Sequence, residues 1–468
     1  MSKRYSSPPA GETPRPQKLQ RLDEGGSPAT AMPPLPSPPQ SAQPAVSSPS
    51  APGSRTPSDS SRSSTSESSS SRGNEVPGRF LTMKSLFKRN FDGFGGSSWV
   101  LPSGAIVDDR LCEVVEALPH ESALHSFVVE DVDALLALFD DVKDKEEITR
   151  IMMTRQVKLP DLSQVELNFI KLYEKSPEDL NVFLRTHSSE SVSNLLEDKP
   201  SEEFQEVAHQ CITQVFWHYQ RYGFAFPREQ SEAWFNRHLW GFLPFALTAH
   251  PFAPTALPLF DYRPGEISSE SSARRRRKQA DWDGRQQVDP KVDGVVVVGA
   301  LPVEICWMEA ARRDGGLNTT KCLHDTLKLI KLMKDGHDMF REMARQDIRY
   351  KLATYGIRIS GPSISIITLR QRPGRFYQAF EEETNSLSLP STWYNKGSTT
   401  WVLAVIVQIL QLRKALQAIA SSADAWVQPT INSETSSIKD WIAPTMTSPQ
   451  LLPVTLAGSA MTAPPLNI

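Results

Sequence analysis

The run Val295-Val296-Val297-Val298, bounded by Gly294 and Gly299, constrains this chain more than any other stretch. Four β-branched residues in a row suit a strand covered on both faces. Gly299-Ala300-Leu301-Pro302 supplies a turn, and Val303 to Met308 reads as a second apolar strand. Each strand carries an acid, Asp293 on the first and Glu304 on the second, with ten residues between them. A carboxylate on a buried strand is costly unless something offsets its charge. A metal ion, a lysine or an arginine is therefore expected near this pair. A plainer reading stands beside it, with Asp293 as a turn residue before Gly294 and Glu304 paired to Arg312 or a helix lysine.

The elements around this hairpin follow from periodicity. A helix from Thr320 places Leu323, Leu327, Ile330, Met333 and Phe340 on its buried side, with Lys321, Lys328 and Lys331 opposite. Two or three strands follow, turning at Gly361-Pro362 and Pro373-Gly374, and a buried helix runs from Thr400 to about Trp426. Upstream, a helix from 203 carries Val207, Cys211, Val215 and Tyr219 on one stripe, with Ser201 as its cap. A shorter helix after Pro227 has Ser231 as its cap and Glu232 in its first turn. Between 79 and 200 the spacing is helical, as in Val132, Leu135, Leu136 and Phe139, so this stretch is expected to form a helical domain. Residues 1–78 are rich in Ser and Pro and are expected to be disordered, as are residues 427–468. Pairs such as Ser7-Pro8 and Thr56-Pro57 offer sites for proline-directed phosphorylation.

The formal net charge of -3 gives no global basic field, which argues against a constitutive, tight duplex binder but allows a local patch. That patch is Arg274, Arg275, Arg276, Arg277 and Lys278, expected in an exposed polar loop as a nuclear-import signal or a phosphate-contacting surface. Cys112, Cys211, Cys306 and Cys322 suit buried thiols in a reducing compartment. The apolar run from Trp401 stops at Arg413-Lys414 and is too short for a bilayer span, so an intracellular, nuclear protein is expected. No phosphate-binding glycine loop and no nucleophile-elbow motif is present.

Taken as elements, residues 229 to 370 read helix, irregular stretch, strand, strand, helix, strand. That order resembles the core of the PD-(D/E)XK nuclease-like superfamily. WVLPSG at Trp99, HSFVVED at His125 and Ser231 to Trp234 also resemble blocks of an uncharacterised fungal protein family. The resemblance implies an α/β (α+β) fold, with a mixed sheet flanked by helices over residues 201–426. It implies Mg2+ held by Asp293 and Glu304, assisted by Glu232, and a hydrolase acting on the phosphodiesters of nucleic acid. The lysine of that motif should stand two residues after the second acid, where this chain has Cys306. Lys321 is the expected substitute, and a catalytically weakened relative is expected if it fails to serve. Glu309 is a third carboxylate, on the opposite strand face from Glu304. The alternative is a non-enzymatic nuclear interaction protein, with an import receptor as partner and a phospho-regulated tail.

Overall fold

The structure is a computed structural model that describes parts of residues 84–92, then 98–154, 158–225, 230–249, 259–279, 291–299, 303–311, 320–344 and 352–426. The expected tails at 1–78 and 427–468, and Arg312, lie outside the described residues.

The chain folds as mixed α/β around a sheet that has seven strands among the described residues. These are β1 (Val128–Val129), β2 (Phe260–Ser268), β3 (Lys291–Val298), β4 (Glu304–Ala311), β5 (Thr354–Ser360), β6 (Ser363–Gln371) and β7 (Tyr377–Ser388). They lie in the order β1-β7-β6-β5-β4-β3-β2. The pairs β3–β4, β5–β6 and β6–β7 are antiparallel, as their short turns require, and β2 pairs antiparallel with β3 across a longer connection that contains the helix Glu270–Gln279. β4 and β5 are parallel, so the chain crosses over between them by a helix, Thr320–Met343. Gly361 (φ 57) and Gly374 (φ 75) sit at the two turns read from sequence.

The helices that frame the sheet and the site are α1 (Val107–Ala117), α2 (Val142–Thr154), α3 (Gln164–Lys171), α4 (Pro177–Thr186), α5 (Glu202–Arg221), α6 (Glu232–Trp234), α7 (Glu270–Gln279), α8 (Thr320–Met343) and α9 (Lys396–Trp426). The caps read from sequence are present. Ser201 Oγ accepts from Phe204 N at 3.3 Å, and Ser231 Oγ accepts from Trp234 N at 3.2 Å. One sheet face is covered by α5 and α9, with Tyr219, Phe216, Trp393, Ile357 and Met308 in a common core. The other face is covered by α8, whose Leu329, Ile330, Leu332 and Met333 meet Val295, Val297 and Trp307. Gly336 allows that approach, because a Cβ there would stand 1.9 Å from the Trp307 ring. Gly294 answers a similar need, with the Tyr262 hydroxyl 2.3 Å from where its Cβ would be.

The stretch 79–200 is joined to the sheet rather than standing apart from it. Its β1 pairs in parallel with β7, and Arg372 Nη2 on the sheet side donates to Met152 O of α2 at 2.9 Å. The segment Lys396–Ser422 of α9 is long and apolar enough to cross a membrane, contrary to the sequence expectation, yet 67% of its most apolar window is buried inside the fold. It serves here as the core helix beneath the sheet.

Candidate functional site

The site lies where β3, β4, α6 and the first turns of α8 meet. Asp293 is a mid-strand residue of β3, not a turn residue, since pairing with β2 and β4 continues through Gly294. The register that sets Gly294 opposite Met308 brings Asp293 beside Glu309 and Ala310. Ala310 N donates to Asp293 Oδ2 at 2.8 Å. Strand alternation puts Asp293, Val295, Trp307 and Glu309 on the face that α8 covers. Glu309 is 4% exposed there.

Two residues of α8 complete the group. Lys328 Nζ lies 2.7 Å from Glu309 Oε1, an ion pair. Asp325 Oδ2 is buried and accepts no hydrogen bond among the described residues. Burial pushes the Glu309 carboxyl up to about 8; Lys328 opposes the shift, and Asp293 and Asp325 add to it. The Asp293 carboxyl is also raised, by burial first, against the Ala310 N–H and with the help of Glu232. One helical turn earlier, Lys321 Nζ donates to Glu232 Oε2 at 2.6 Å. Glu232, Asp293 and Lys321 are thus brought near one another, with Glu309, Asp325 and Lys328 beside them.

Glu304 is not among them, which corrects its expected pairing with Asp293. It sits at the far end of β4, six positions from Ala310, or about 20 Å along a strand. Its carboxylate is satisfied at the start of α7. It accepts from Ser269 Oγ at 2.7 Å, Glu270 N at 2.9 Å and Ser271 N at 3.2 Å, and also from Ser271 Oγ. That is a helix-capping role, with the negative charge at the positive end of the helix. Cys306, the residue in the expected lysine position, is buried in the core beneath the opposite sheet face. With Glu309 as the second acid, the position two residues on is Ala311.

The basic run is helical, not a loop. Residues 274–278 lie within α7, and α7 packs along α8. Arg275 Nε is 2.8 Å from the buried Asp335, and Arg274 Nη2 is 3.5 Å from Glu342. The side chains of Arg276, Arg277 and Lys278 lie outside what is described. Lys331, read as solvent-facing, is 7% exposed and donates to Glu121. Both corrections have one cause. α8 is covered by the sheet on one side and by α7 on another, so its charges must be paired within the fold.

The donors present fit a hard divalent cation in kind. Asp293 and Glu309 offer carboxylate oxygen, and one buried oxygen of Asp325 accepts no hydrogen bond among the described residues. Mg2+ is commonly held by one or two carboxylates plus water and substrate phosphate. Among the described residues no three His, Cys, Asp or Glu side chains are gathered closely enough to hold a metal by themselves. A cleft of about 800 Å3 lined by Ser193, Glu203, Thr248 and Arg413 lies apart from this site. Its Arg413 is committed to the carbonyls of Ala246 and Thr248 and to Glu203.

Glu309 and Lys328 are only partly visible in sequence, and Asp325 not at all. Ending β4 at Met308 hides the face that Glu309 shares with Asp293. Lys321, Asp325 and Lys328 recur at four- and three-residue spacing, a helix face that apolar periodicity alone passes over. No family model, no curated protein and no solved structure matches this chain.

Proposed function

We propose that the chain is a metal-dependent nuclease-like protein that hydrolyses phosphodiesters in nucleic acid, with Asp293 and Glu309 as its acids. The observation that carries this reading is their convergence. A half-buried carboxylate, Asp293, and a buried one, Glu309, stand on adjacent strands and share one sheet face, and a lysine from the crossover helix lies against Glu309. Part of the element order supports it as well: α6, then β3, β4, α8 and β5 follow one another in the order on which the resemblance to the PD-(D/E)XK superfamily rests, although β2 and α7 stand where the sequence reads as an irregular stretch.

In this reading Asp293 and Glu309 would hold Mg2+, which supplies a lowered water pKa and neutralises charge developing on phosphorus. The remaining work falls to the chain. Lys328 takes the part of the missing strand lysine in place of Lys321, its ammonium set against Glu309 at the point of attack. Lys321, held by Glu232 on the exposed side, is placed to meet a substrate phosphate. Ala310 N fixes one oxygen of Asp293 and leaves the other to face inward.

The test is cleavage of plasmid and single-stranded substrates with Mg2+ or Mn2+. Wild type is compared with Asp293→Asn, Glu309→Gln and Lys328→Met, each checked for folding by circular dichroism. A loss of at least about 100-fold is expected for each, the scale at which removal of one charged catalytic group is felt. Activity surviving both acid substitutions defeats the assignment.

A second reading has its own support. Lys328 closes on Glu309 and no three-ligand cluster exists among the described residues, as in a site that has lost its reaction. Absence of turnover with every metal, alongside intact binding of nucleic acid, favours a non-enzymatic nuclear interaction protein. Nuclear residence rests on residues 274–278. Neutralising Arg276, Arg277 and Lys278 in a tagged protein should abolish nuclear enrichment, and unchanged enrichment removes that part of the proposal.

A further inference from the structure

Directly after Glu232 the chain departs from ordinary helix. Residues Phe235–Leu239 form a π turn, a wider coil that is rare and recurs at functional positions. Phe235 and Leu239 anchor it in the core, while Arg237 remains exposed and Trp234 and His238 half-buried. The C-terminal turn of α5 meets it with His218, Arg221 and Tyr222. The rings form one cluster. Tyr222 and Trp234 stand 5.3 Å apart, Trp234 and His238 5.3 Å, Tyr222 and His238 6.1 Å, and His218 and His238 6.1 Å.

The charge of this patch has one sign. Arg221 and Arg237 are both exposed, and among the described residues neither has a carboxylate partner. Their field reaches the two imidazoles, which burial first and the neighbouring positive charge second disfavour as cations. The combination is what single-stranded nucleic acid requires, with cations for the backbone and π faces for unpaired bases. An acidic peptide would satisfy the arginines but has no flat ring for Tyr222 and Trp234. A duplex keeps its bases stacked on one another and cannot use them either.

Position supports the same occupant. Glu232, which bonds Lys321 at the carboxylate site, lies five and six residues before Arg237 and His238 in the same helical run. At about 1.5 Å per residue that separation is about 8 Å.

We propose that Tyr222, Trp234 and His238, with Arg221 and Arg237, form a platform for a single-stranded nucleic-acid segment leading to or from the carboxylate site. The proposal deepens the nuclease reading and rests on it for the identity of the neighbouring site.

The experiment measures binding without metal, so that it stands apart from cleavage. Full-length protein in EDTA is titrated into fluorescein-labelled oligothymidine, oligouridine and a duplex of equal length, read by anisotropy over a range of salt. Wild type is expected to bind either single strand more tightly than the duplex. Arg221→Gln with Arg237→Gln should weaken single-strand binding at least tenfold. It should also reduce the slope of log K against log salt by about 1.4, as two lost phosphate contacts on a single strand require. Trp234→Leu should weaken binding about five- to 150-fold with the salt slope unchanged, the signature of lost stacking. Trp234→Phe should recover most of it, which guards against a folding defect. Arginine and tryptophan variants that bind and cleave like wild type overturn the platform and leave the nuclease reading standing. Platform-dependent binding with no cleavage by any metal does the reverse. Tighter binding to duplex than to either single strand also overturns the platform.

Discussion

Replacing Glu309 by Gln tests the electrostatics of the site without reference to any substrate. Burial moves this carboxyl from 4.5 up to about 8. Between those values the unfolded chain has released the proton while the folded chain still holds it. A group whose folded value lies above its unfolded one contributes stability that is complete below pH 4.5 and is lost as pH rises through 8. At roughly 1.4 kcal/mol per pH unit the whole loss is about 5 kcal/mol, an upper figure because Lys328 and entering water will answer the ionised form. His125 works in the opposite sense. It is 0% exposed, and burial lowers it from 6.5 to about 4, so its contribution is present above pH 6.5 and is lost as pH falls through 4. The two slopes oppose each other between 4.5 and 6.5, and of this pair only that of Glu309 remains between 6.5 and 8. In metal-free buffer the stability of Glu309→Gln, from urea unfolding followed by tryptophan fluorescence, should therefore gain on wild type by about 2 kcal/mol across that last interval. Saturating Mg2+ or Mn2+ should flatten the wild-type decline, because the cation competes with the proton for the same oxygens, and metal affinity should rise about tenfold per pH unit up to 8. Parallel stability curves for variant and wild type would refute the raised carboxyl, and with it the view of this site as charge-frustrated.

Two further outcomes concern α8. Gly336→Ala places a methyl 1.9 Å from the Trp307 ring, so a loss of about 3 kcal/mol or more is expected in urea unfolding, and Trp307→Leu in the same chain should recover part of it. Lys334 is fully buried, with Nζ 2.7 Å from Asp338 Oδ2 and 4.9 Å from the Tyr377 ring centre, so Lys334→Met should cost about 3–5 kcal/mol, whereas Lys334→Met with Asp338→Leu should cost less than the single change.

The sequence makes the architecture legible through the features that depend on near neighbours. Four valines mark β3, Ser201 and Ser231 mark helix starts, and Gly361 and Gly374 mark the turns of the second hairpin. It misleads wherever a polar side chain is settled by a distant one. Glu304 looks like half of a metal site because its strand neighbours are apolar. Its partners, Ser269 and Ser271, come from a helix more than thirty residues earlier in the chain. Arg274 and Arg275 of α7 look free because nothing local answers them, while Glu342 and Asp335 do so from α8. Apolar periodicity reports which face of a helix meets a core, and α8 has two such faces and a charged seam between them. Along that seam Lys331 finds Glu121, Lys334 finds Asp338, and Tyr377 joins Asp338 to Arg341.

The same seam explains why the site sits where it does. Toward the C-terminal end of α8 each buried acid has a cation from within the fold, Lys334 at Asp338 and Arg275 at Asp335, and Tyr377 joins Asp338 to Arg341. Such a network holds the helix at one depth and rotation on the sheet. Toward the N-terminal end acids outnumber cations. Glu309 has Lys328 opposite it and feels Asp293 and Asp325 besides, while Lys321 is engaged by Glu232. That excess of acid adds to burial in raising the Glu309 carboxyl, and an added cation is the perturbation that would relieve it.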